Sequence, residues 1–182
     1  MRIVGGRLKG IQFHAPAKLP VRPTTDMAKE ALFNILLNSY DFDECKILDL
    51  FTGTGNISIE FASRDAQSIT AVDKHPGCVA WLKSVKEKHQ LNSIDIRKAD
   101  VFKFLAQSTE KYDIIFADPP YDLPNIPLLP QLVHQHRLLN ENGVLVVEHP
   151  SMLKLDQQPG YTETRKYGYS SFSFFTVTSS QE

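Results

Sequence analysis

Short apolar runs alternate with segments of helical periodicity from residue 44 onward. Several of these runs are continuously apolar, as expected of strands that are covered on both faces of a sheet. Such runs separated by helices are typical of βαβ units and a parallel sheet. The predicted strands span residues 46–51, 68–73, 94–98, 112–118 and 144–149. The pattern therefore predicts an α/β fold with a mostly parallel sheet.

The end of the chain departs from this alternation. Residues 161–167 and 170–178 both have strand character and are joined across Gly168, which predicts an antiparallel hairpin. We expect this hairpin to complete a mostly parallel sheet of seven strands.

The beginning of the chain has a different pattern. Two β-like segments, residues 2–4 and 8–14, flank Gly5-Gly6 and predict a small N-terminal β-hairpin, which a proline-containing connector follows. The length suits one domain better than two. We expect residues 1–182 to form a single domain, with residues 1–22 as a hairpin and connector appended to it.

Two helices have clear start signals. The first follows Thr24, Thr25 and Asp26, which supply an N-cap and a first-turn acid, and the second begins at Pro76. Helical spacing places side chains on one face of each helix, and we expect these faces to pack on the domain. The first face holds Met27, Ala28, Ala31, Leu32, Ile35 and Leu36, and the second holds Val79, Leu82, Val85 and His89.

Charge is unevenly distributed along the chain. The net charge of −1 argues against indiscriminate nucleic-acid binding, but residues 1–25 carry +5 without a single acid, which leaves −6 for the rest. The basic residues of this segment are Arg2, Arg7, Lys9, Lys18 and Arg22. A basic arm on a near-neutral body suits contact with phosphates along one edge, although a solvated leader would have the same composition.

Composition excludes several other classes of protein. Hydrophobic residues make up 42% of the chain and charged residues 23%, which are ordinary globular values. Cys45 and Cys78 lack the spacing of a zinc site, and His134 and His136 cannot face one ligand on a helix, so we expect no metal. No apolar run is long enough to cross a bilayer and no secretory leader is recognisable, so we expect a cytoplasmic protein.

A glycine loop follows the first predicted strand, in the run Asp49-Leu50-Phe51-Thr52-Gly53-Thr54-Gly55. In open α/β sheets, ligands bind outside the carboxyl ends of strands, where such a loop leads into a helix. Ser58 stands where a dinucleotide fingerprint needs a third glycine or an alanine, and no P-loop occurs, so NAD is disfavoured. A carboxylate at Asp49 would repel phosphate but accept hydrogen bonds from an ammonium group. The loop therefore favours an amino-acid-like ligand such as the methionine part of S-adenosylmethionine.

Acidic residues also follow the next two strands. Asp73 ends the second strand, where a carboxylate can accept both ribose hydroxyls of a nucleoside. Asp100 follows the third strand and is a candidate for contact with an adenine amino group. Each aspartate alone could be a helix cap, but three acids at successive strand ends favour a bound nucleoside.

The fourth predicted strand ends in Asp118-Pro119-Pro120-Tyr121, beside the glycine loop. Two consecutive prolines cannot continue a sheet, and they leave the Pro119 carbonyl free to accept a hydrogen bond. An amino group on an aromatic ring is a poor nucleophile because its lone pair is delocalised. The Asp118 carboxylate and the Pro119 carbonyl would each take one amino hydrogen and direct the lone pair at a sulfonium methyl, while Tyr121 stacks on the base. The motif predicts methylation of an amino nitrogen, against the alternative of a rigid strand exit capped by an aspartate.

These motifs resemble those of class I methyltransferases, whose amino-nitrogen enzymes carry the motif [DNS]PP[YFW]. Residues 4–10, 22–26 and 30–34 resemble the RsmD family of small-subunit ribosomal RNA guanine-N2 methyltransferases, and residues 165–168 resemble its closing hairpin. The glycine loop corresponds to that family's DLFAGSG. The positions that depart from the family pattern are Thr52, Thr54, Asn56 and Asp65.

The resemblance implies a Rossmann-like class I methyltransferase fold and methylation of a guanine N2 amino group in small-subunit ribosomal RNA, either as naked RNA or in an assembly particle. We expect a monomer. The expected catalytic residues are Asp118, Pro119, Pro120 and Tyr121. The expected contacts with S-adenosylmethionine are Asp49, Phe51, Thr52, Gly53, Gly55, Asp73, Asp100 and Thr25, and those with RNA are Arg7, Lys9, Arg22 and Thr24. A DNA adenine methyltransferase, a protein glutamine methyltransferase and a non-catalytic RNA-binding module remain alternatives.

Overall fold

A seven-stranded sheet forms the centre of the protein, which a computed structural model describes over residues 1–22 and 24–178. Pro23, in the predicted connector, and residues 179–182, at the end of the predicted domain, lie outside the described residues. The strands are β1 (Lys46–Leu50), β2 (Ser68–Asp73), β3 (Ile94–Lys98), β4 (Tyr112–Ala117), β5 (Leu139–Pro150), β6 (Tyr161–Tyr167) and β7 (Ser170–Thr176). The helices are α1 (Asp26–Leu37), α2 (Asn56–Ser63), α3 (Pro76–His89), α4 (Val101–Gln107) and α5 (Leu128–Gln135).

The strands lie in the order β3-β2-β1-β4-β5-β7-β6. The first five strands pair in parallel, whereas β7 is antiparallel to both β5 and β6. The predicted α/β fold, with seven strands, a mostly parallel sheet and a C-terminal antiparallel hairpin, is confirmed. The chain reverses direction across the sheet at β1, so that the carboxyl ends of β1 and β4 lie side by side. This is the place where open α/β sheets bind ligands.

Five strand ends differ from the prediction. Strand β5 ends at Pro150, one residue later than predicted, and β7 ends at Thr176, two residues earlier. The other three differences have local reasons. Strand β1 stops one residue early because Phe51 adopts a left-handed conformation, with φ of 57°. Strand β4 stops at Ala117, directly before Asp118 and the two prolines. Strand β5 begins at Leu139, because that residue pairs with Tyr112 before an irregularity in the register.

Each face of the sheet is covered by its own apolar core. Neighbouring residues of β1 point to opposite faces, so that Ile47 belongs to one core and Leu48 to the other. The first core is covered by α1, α2 and α3, and the second by α4 and α5. Burial on both faces explains why the parallel strands were continuously apolar in the sequence.

Helix α1 buries part of the predicted face, including Ala28, Leu32 and Leu36, but not Met27. The buried residues are Ala28, Lys29, Leu32, Phe33 and Leu36, whereas Met27 is 72% exposed. Lys29 is fully buried and lies 3.1 Å from the carboxylate of Glu60, which is also fully buried. Its ammonium donates to the Arg2 carbonyl at 2.6 Å and to Asn56 Oδ1 at 2.8 Å. The predicted inward position of Met27 was wrong because a paired lysine occupies the buried face instead.

The N-terminal segment (residues 1–22) is not a regular hairpin. It contains a single antiparallel bridge, between Arg2 and Gln12, where two strands were predicted. The reason is that its backbone donors bind α2: Val4 and Gly5 donate to the Glu60 carboxylate, and Leu8 donates to the Ser63 hydroxyl. Its buried apolar side chains join the first core; they are Ile3, Leu8 and Phe13. The segment is therefore docked along α2 instead of projecting from the domain.

Candidate active site

Acidic side chains converge where β1, β2, β4 and β5 end. Asp49 lies in β1, Asp73 ends β2, Asp118 follows β4, and Glu148 lies near the end of β5. Because neighbouring parallel strands end at one edge of the sheet, these carboxylates face one region. Two of the four, Asp49 and Glu148, are only 1% exposed. Buried carboxylates need partners, and those partners define the site.

Asp49 is held by hydroxyl groups of the glycine loop and of α2. The hydroxyls of Thr52 and Ser58 donate to the same oxygen, Oδ2, at 2.7 and 2.6 Å. Burial raises the pKa of this carboxyl to about 6, against the effect of the two hydroxyl donors. Sequence reasoning used Ser58 only to exclude a dinucleotide site. Its hydroxyl is a functional group of this site, and the signal was a polar residue in the first turn of α2.

The glycine loop has a backbone that side chains would obstruct. Gly53 and Gly55 have φ values of 56° and 84°, and Gly55 precedes the first residue of α2. A Cβ atom on Gly55 would lie 2.4 Å from Leu82 of α3, so the loop and this helix approach more closely than alanine allows. The loop therefore forms a tight cradle at the end of β1.

Asp73 ties the glycine loop to the end of β2. Its Oδ2 accepts a 2.9 Å hydrogen bond from the Gly53 amide, and its Oδ1 accepts one of 2.8 Å from the His75 amide. The contact with ribose hydroxyls that the sequence predicts remains a prediction. Asp100 lies at the end of the next strand and caps α4 by accepting from the Lys103 amide at 3.1 Å. Its predicted contact with an adenine amino group would use the oxygen that does not cap the helix.

Two aromatic rings lie on the same side of the site as Asp100. Phe51 and Phe102 meet edge to face, with ring centroids 6.2 Å apart. Phe51 is a predicted cofactor residue, and its left-handed backbone is part of the turn out of β1. Phe102 was not predicted, because a phenylalanine in the first turn of an amphipathic helix has the pattern of a core residue.

The loop after β4 presents its acceptors beside the glycine loop. The Asp118 amide donates to the Leu50 carbonyl of β1 at 3.4 Å, which places the loop next to the first strand's end. The Tyr121 hydroxyl contacts the Ser170 hydroxyl of β7, which anchors the outer end of the ring. Within residues 1–22 and 24–178, no donor reaches the Pro119 carbonyl, so this acceptor is available as the sequence predicts.

Glu148 is the main acidic residue that sequence reasoning missed. Its carboxylate lies beside that of Asp118, and the Thr24 hydroxyl donates to its Oε2 at 3.2 Å. Burial raises the pKa of both carboxyls, and the charge of Glu148 raises the pKa of Asp118 further. The signal was available in the sequence, because Glu148 is an acid at the end of an otherwise apolar strand.

Arg22 joins these acidic groups and covers the tyrosine. Its Nη2 lies 3.0 Å from Asp118 Oδ1 and 3.5 Å from Glu148 Oε1. Its Cζ atom lies 3.5 Å from the centroid of the Tyr121 ring, which is a stacking distance. The sequence predicts Arg22 and Thr24 as RNA contacts, and the structure places both in the carboxylate cluster.

The residues before Arg22 cross the glycine loop. A Cβ atom on Gly53 would lie 3.1 Å from Val21, and one on Gly77, at the start of α3, would lie 2.8 Å from Leu19. Residues 19–22 therefore run over the ends of β2, β1 and β4 as a strap. Sequence reasoning treated them only as a connector.

Three other predicted residues lie away from the carboxylates or have a local role. Thr25 caps α1, since its hydroxyl accepts from the Ala28 amide at 3.2 Å. Arg7 and Lys9 are exposed, and the Arg7 amide donates to Ser63 at the C-terminal end of α2. The glycine loop is at the other end of that helix, roughly 12 Å away for eight residues. The structure therefore brings Arg22 into the site and leaves Arg7 and Lys9 outside it.

A cavity of about 550 Å³ lies at the opposite end of the sheet. Its lining includes Lys111 before β4 and Leu139 at the start of β5, far from the carboxyl ends of these strands.

Among the residues that the structure describes, no helix is long and apolar enough to cross a membrane. In the same residues, no three histidine, cysteine or acidic side chains are grouped to hold a metal ion.

Comparisons with known proteins identify the family of this chain and its fold. A model of the family described as "Conserved hypothetical protein 95" matches residues 1–176. YlbH of Bacillus subtilis, provisionally named an rRNA methyltransferase, is 32% identical over 93% of this chain and 94% of its own length. Ribosomal RNA small subunit methyltransferase D of Escherichia coli K12 is 30% identical over 81% of this chain and 71% of its own length. The structure of Escherichia coli yhhF, provisionally described as a methyltransferase, superposes with a TM-score of 0.86 at 24% identity, covering 97% of both chains.

Proposed function

This chain belongs to the Conserved hypothetical protein 95 family, that of small-subunit rRNA methyltransferase D, and on that premise we propose that it methylates the N2 amino group of a guanine in small-subunit ribosomal RNA with S-adenosylmethionine. The observation that carries the proposal is the position of Asp118. Its partly buried carboxylate, the available Pro119 carbonyl and the anchored Tyr121 ring lie together at the end of β4, next to the glycine loop. That arrangement provides two acceptors and a stacking surface for one amino-bearing base.

The acidic lining fits a cofactor that is cationic at one end and carries a ribose. Asp49 would hold the ammonium group, because it supplies a negative charge at the end of β1 and two hydroxyl donors fix the orientation of its carboxylate. Asp73 would hold the ribose hydroxyls, and Phe51 would flank the adenine with Asp100. Gly53 and Gly55 keep the cradle free of side chains, and Thr52 connects the loop to Asp49. When bound, S-adenosylmethionine supplies an electrophilic methyl group on its sulfonium.

The loop after β4, which contains the DPPY motif Asp118-Pro119-Pro120-Tyr121, would orient the base. Asp118 and the Pro119 carbonyl each accept one hydrogen of the amino group, which leaves its lone pair directed away from both acceptors and toward the cofactor. Stacking on Tyr121 is worth about 1–3 kcal/mol, while orientation of the reacting groups supplies about 7–11 kcal/mol, so positioning is the dominant effect. Pro120 keeps the loop rigid.

Asp118 also has a role after methyl transfer. The methylated amino group is cationic until it loses one proton. Because burial and the neighbouring Glu148 raise the pKa of Asp118, its carboxylate accepts a proton more readily than an exposed aspartate. The same residue can therefore orient the amino group and collect its proton.

Basic and hydroxyl side chains of the N-terminal segment and of the start of α1 would contact the RNA. Arg7 and Lys9 are exposed near the C-terminal end of α2, where they would bind phosphates of the RNA at a distance from the target nucleotide. The target guanine would leave its stack to reach Tyr121. Arg22 and Thr24 lie at the mouth of the carboxylate cluster, where the base enters.

The experiment that tests the proposal offers the protein several methyl acceptors at once. The purified chain and tritium-labelled S-adenosylmethionine are incubated with unmethylated small-subunit rRNA, small subunits, DNA and a release-factor protein. We expect label in rRNA or small subunits, and N2-methylguanosine after nuclease digestion and mass spectrometry. Label confined to DNA or protein would overturn the proposal. RNA binding without S-adenosylmethionine binding in calorimetry would instead identify a non-catalytic RNA-binding module.

A further inference from the structure

We propose that Glu148 selects guanine as the target base, by accepting a hydrogen bond from the guanine N1–H while Asp118 accepts from the N2 amino group. This inference rests on the proposed function and extends it from the reaction to the choice of base. It is carried by the geometry of three side chains, Arg22, Asp118 and Glu148, around the Tyr121 ring.

The guanidinium of Arg22 shows what the carboxylate pair can bind. It is a planar carbon bearing nitrogens with in-plane N–H donors, and it stacks 3.5 Å from the Tyr121 centroid. One of its nitrogens is 3.0 Å from Asp118 and 3.5 Å from Glu148. The N1–C2–N2 edge of guanine is also a planar carbon between nitrogens that carry in-plane N–H donors. A guanine that stacked on Tyr121 in the position of the Arg22 guanidinium would therefore have this edge within hydrogen-bonding reach of both carboxylates.

Glu148 has hydroxyl partners in Thr24 and Ser170, and it can offer a base the oxygen that faces Arg22 once this arginine leaves. Thr24 donates to Oε2, so the carboxylate is held in one orientation, and Oε1 is the oxygen that faces Arg22. Only 1% of Glu148 is exposed, and its backbone belongs to β5, an inner strand of the sheet between β4 and β7. A buried carboxylate in a rigid strand cannot turn away from a base that offers it no proton.

This requirement separates guanine from other bases that carry an amino group. Guanine has a proton on N1, next to the amino-bearing carbon, whereas adenine has an unprotonated N1 in the equivalent position. Placing that lone pair against the Glu148 carboxylate would leave two acceptors facing each other in a buried site. Sites built to bind a donor reject analogues that lack it by about 10⁴–10⁵-fold. The motif around Asp118 selects a base that carries an amino group. Glu148 requires in addition that the ring nitrogen next to the amino-bearing carbon carries a proton.

Arg22 has to leave this position for the base to enter. Its side chain is 41% exposed, so it can turn outward by breaking its two contacts with the carboxylates and its stacking on Tyr121. Once outside, its charge is near the incoming RNA backbone. In the free protein it neutralises part of the negative charge of the buried pair, which would otherwise favour protonation of one carboxyl.

The test compares guanine with 2,6-diaminopurine at the target position of a synthetic RNA, once that position has been mapped. Diaminopurine keeps the 2-amino group but has an unprotonated N1. We expect the wild-type protein to prefer guanine by at least about 100-fold in kcat/KM. We expect E148Q to reduce this preference to below about tenfold, because an amide accepts from guanine N1–H or donates to the N1 of diaminopurine. The matched control is E141Q, an exposed position of the same strand, which should keep the wild-type preference.

The outcomes distinguish the two proposals. If the wild-type protein methylates both bases equally, or if E148Q keeps the wild-type preference, base selection by Glu148 is wrong while guanine methylation stands. If no guanine-containing RNA is methylated, the proposed function itself fails. The wild-type comparison needs no variant, so it decides the matter even if E148Q does not fold. Calorimetric binding of S-adenosylmethionine to E148Q shows whether that variant is folded.

Discussion

The Ser58 hydroxyl donates a 2.6 Å hydrogen bond to Oδ2 of Asp49, nine residues earlier in the chain. Together with the bond from Thr52, it satisfies a carboxylate that is completely buried. Burial nevertheless dominates, and it raises the pKa from 3.8 to about 6. Below about pH 4 the aspartate is protonated in both the folded and the unfolded chain. As the pH rises through about 6, the folded chain has to ionise a buried group, so stability falls by about 3 kcal/mol.

Asp49→Asn should therefore stabilise the fold in a pH-dependent way. Both hydroxyls donate to one oxygen, which an asparagine carbonyl can replace. We expect the variant to gain up to about 3 kcal/mol in unfolding free energy at pH 8 and almost none at pH 4. Urea denaturation at both pH values measures this, with exposed Asp156→Asn as the control. An equal gain at both values would contradict the assigned cause. We also expect weaker S-adenosylmethionine binding by calorimetry, because the partner of the ammonium group loses its charge.

Asp118→Ala should separate cofactor binding from methyl transfer. The variant loses one of the two acceptors for the amino group, and we expect turnover to fall by at least about 100-fold, comparable to the loss of an oxyanion-hole group. S-adenosylmethionine binding should remain close to that of the wild type. Single-turnover methylation and calorimetry give the two numbers, and exposed Asp122→Ala nearby is the matched control. Unchanged turnover would refute the orienting role of Asp118.

Replacing Arg7 and Lys9 together by alanine should weaken RNA binding through charge alone. Each phosphate contact contributes about 0.7–0.9 to the slope of log affinity against log salt, so the slope should decrease by up to about 2. Cofactor affinity should stay unchanged, because both residues lie at the far end of α2 from the glycine loop. Filter binding at several salt concentrations measures the slope. Exposed Lys83 and Lys88 of α3, replaced together, provide a control of equal charge. Parallel loss of RNA and cofactor binding would mean that the segment is only structural.

Gly6→Ala and Gly10→Ala should differ strongly in stability. Both glycines have positive φ, of 75° and 86°, so alanine is strained by about 1–2 kcal/mol at either position. A Cβ atom on Gly6 would lie 2.0 Å from the Ser63 carbonyl oxygen, whereas one on Gly10 meets nothing within 4 Å. We expect Gly6→Ala to cost considerably more and to expose residues 1–13 to limited proteolysis. Equal costs, measured by urea denaturation, would show that the segment docks less closely on α2 than its hydrogen bonds indicate.

The features that sequence could predict are those that depend on neighbours along the chain. Continuously apolar runs located the parallel strands, and the glycine loop and the DPPY motif were recognisable because each is contiguous. The convergence of Arg22 on Glu148 depends on the way in which the strap crosses the ends of β2, β1 and β4, and no local pattern encodes that path. The same holds for Lys29. A lysine in a helix is expected to be exposed, and only the folded structure shows that it pairs with Glu60.

Polar residues misled the prediction in two further places. Residues 140–142 are polar and hid the beginning of β5, although Leu139 already pairs with Tyr112. The N-terminal hairpin was predicted because β-like segments flank two glycines. Those glycines serve a different purpose, since they let the backbone approach α2. Two consecutive glycines indicate a tight turn or a close approach of the backbone to another group. The sequence alone does not distinguish a turn from contact with a helix or a ligand.

The docking of residues 4–8 on Glu60 and Ser63 has a consequence for synthesis of the protein. A ribosome releases the N-terminal segment before it has made the helix that receives it, and at about 5–20 residues per second the wait lasts several seconds. During that interval Ile3, Leu8 and Phe13 have no core to enter. The segment that carries Arg22 to the carboxylates therefore has to wait for α2 before it can dock.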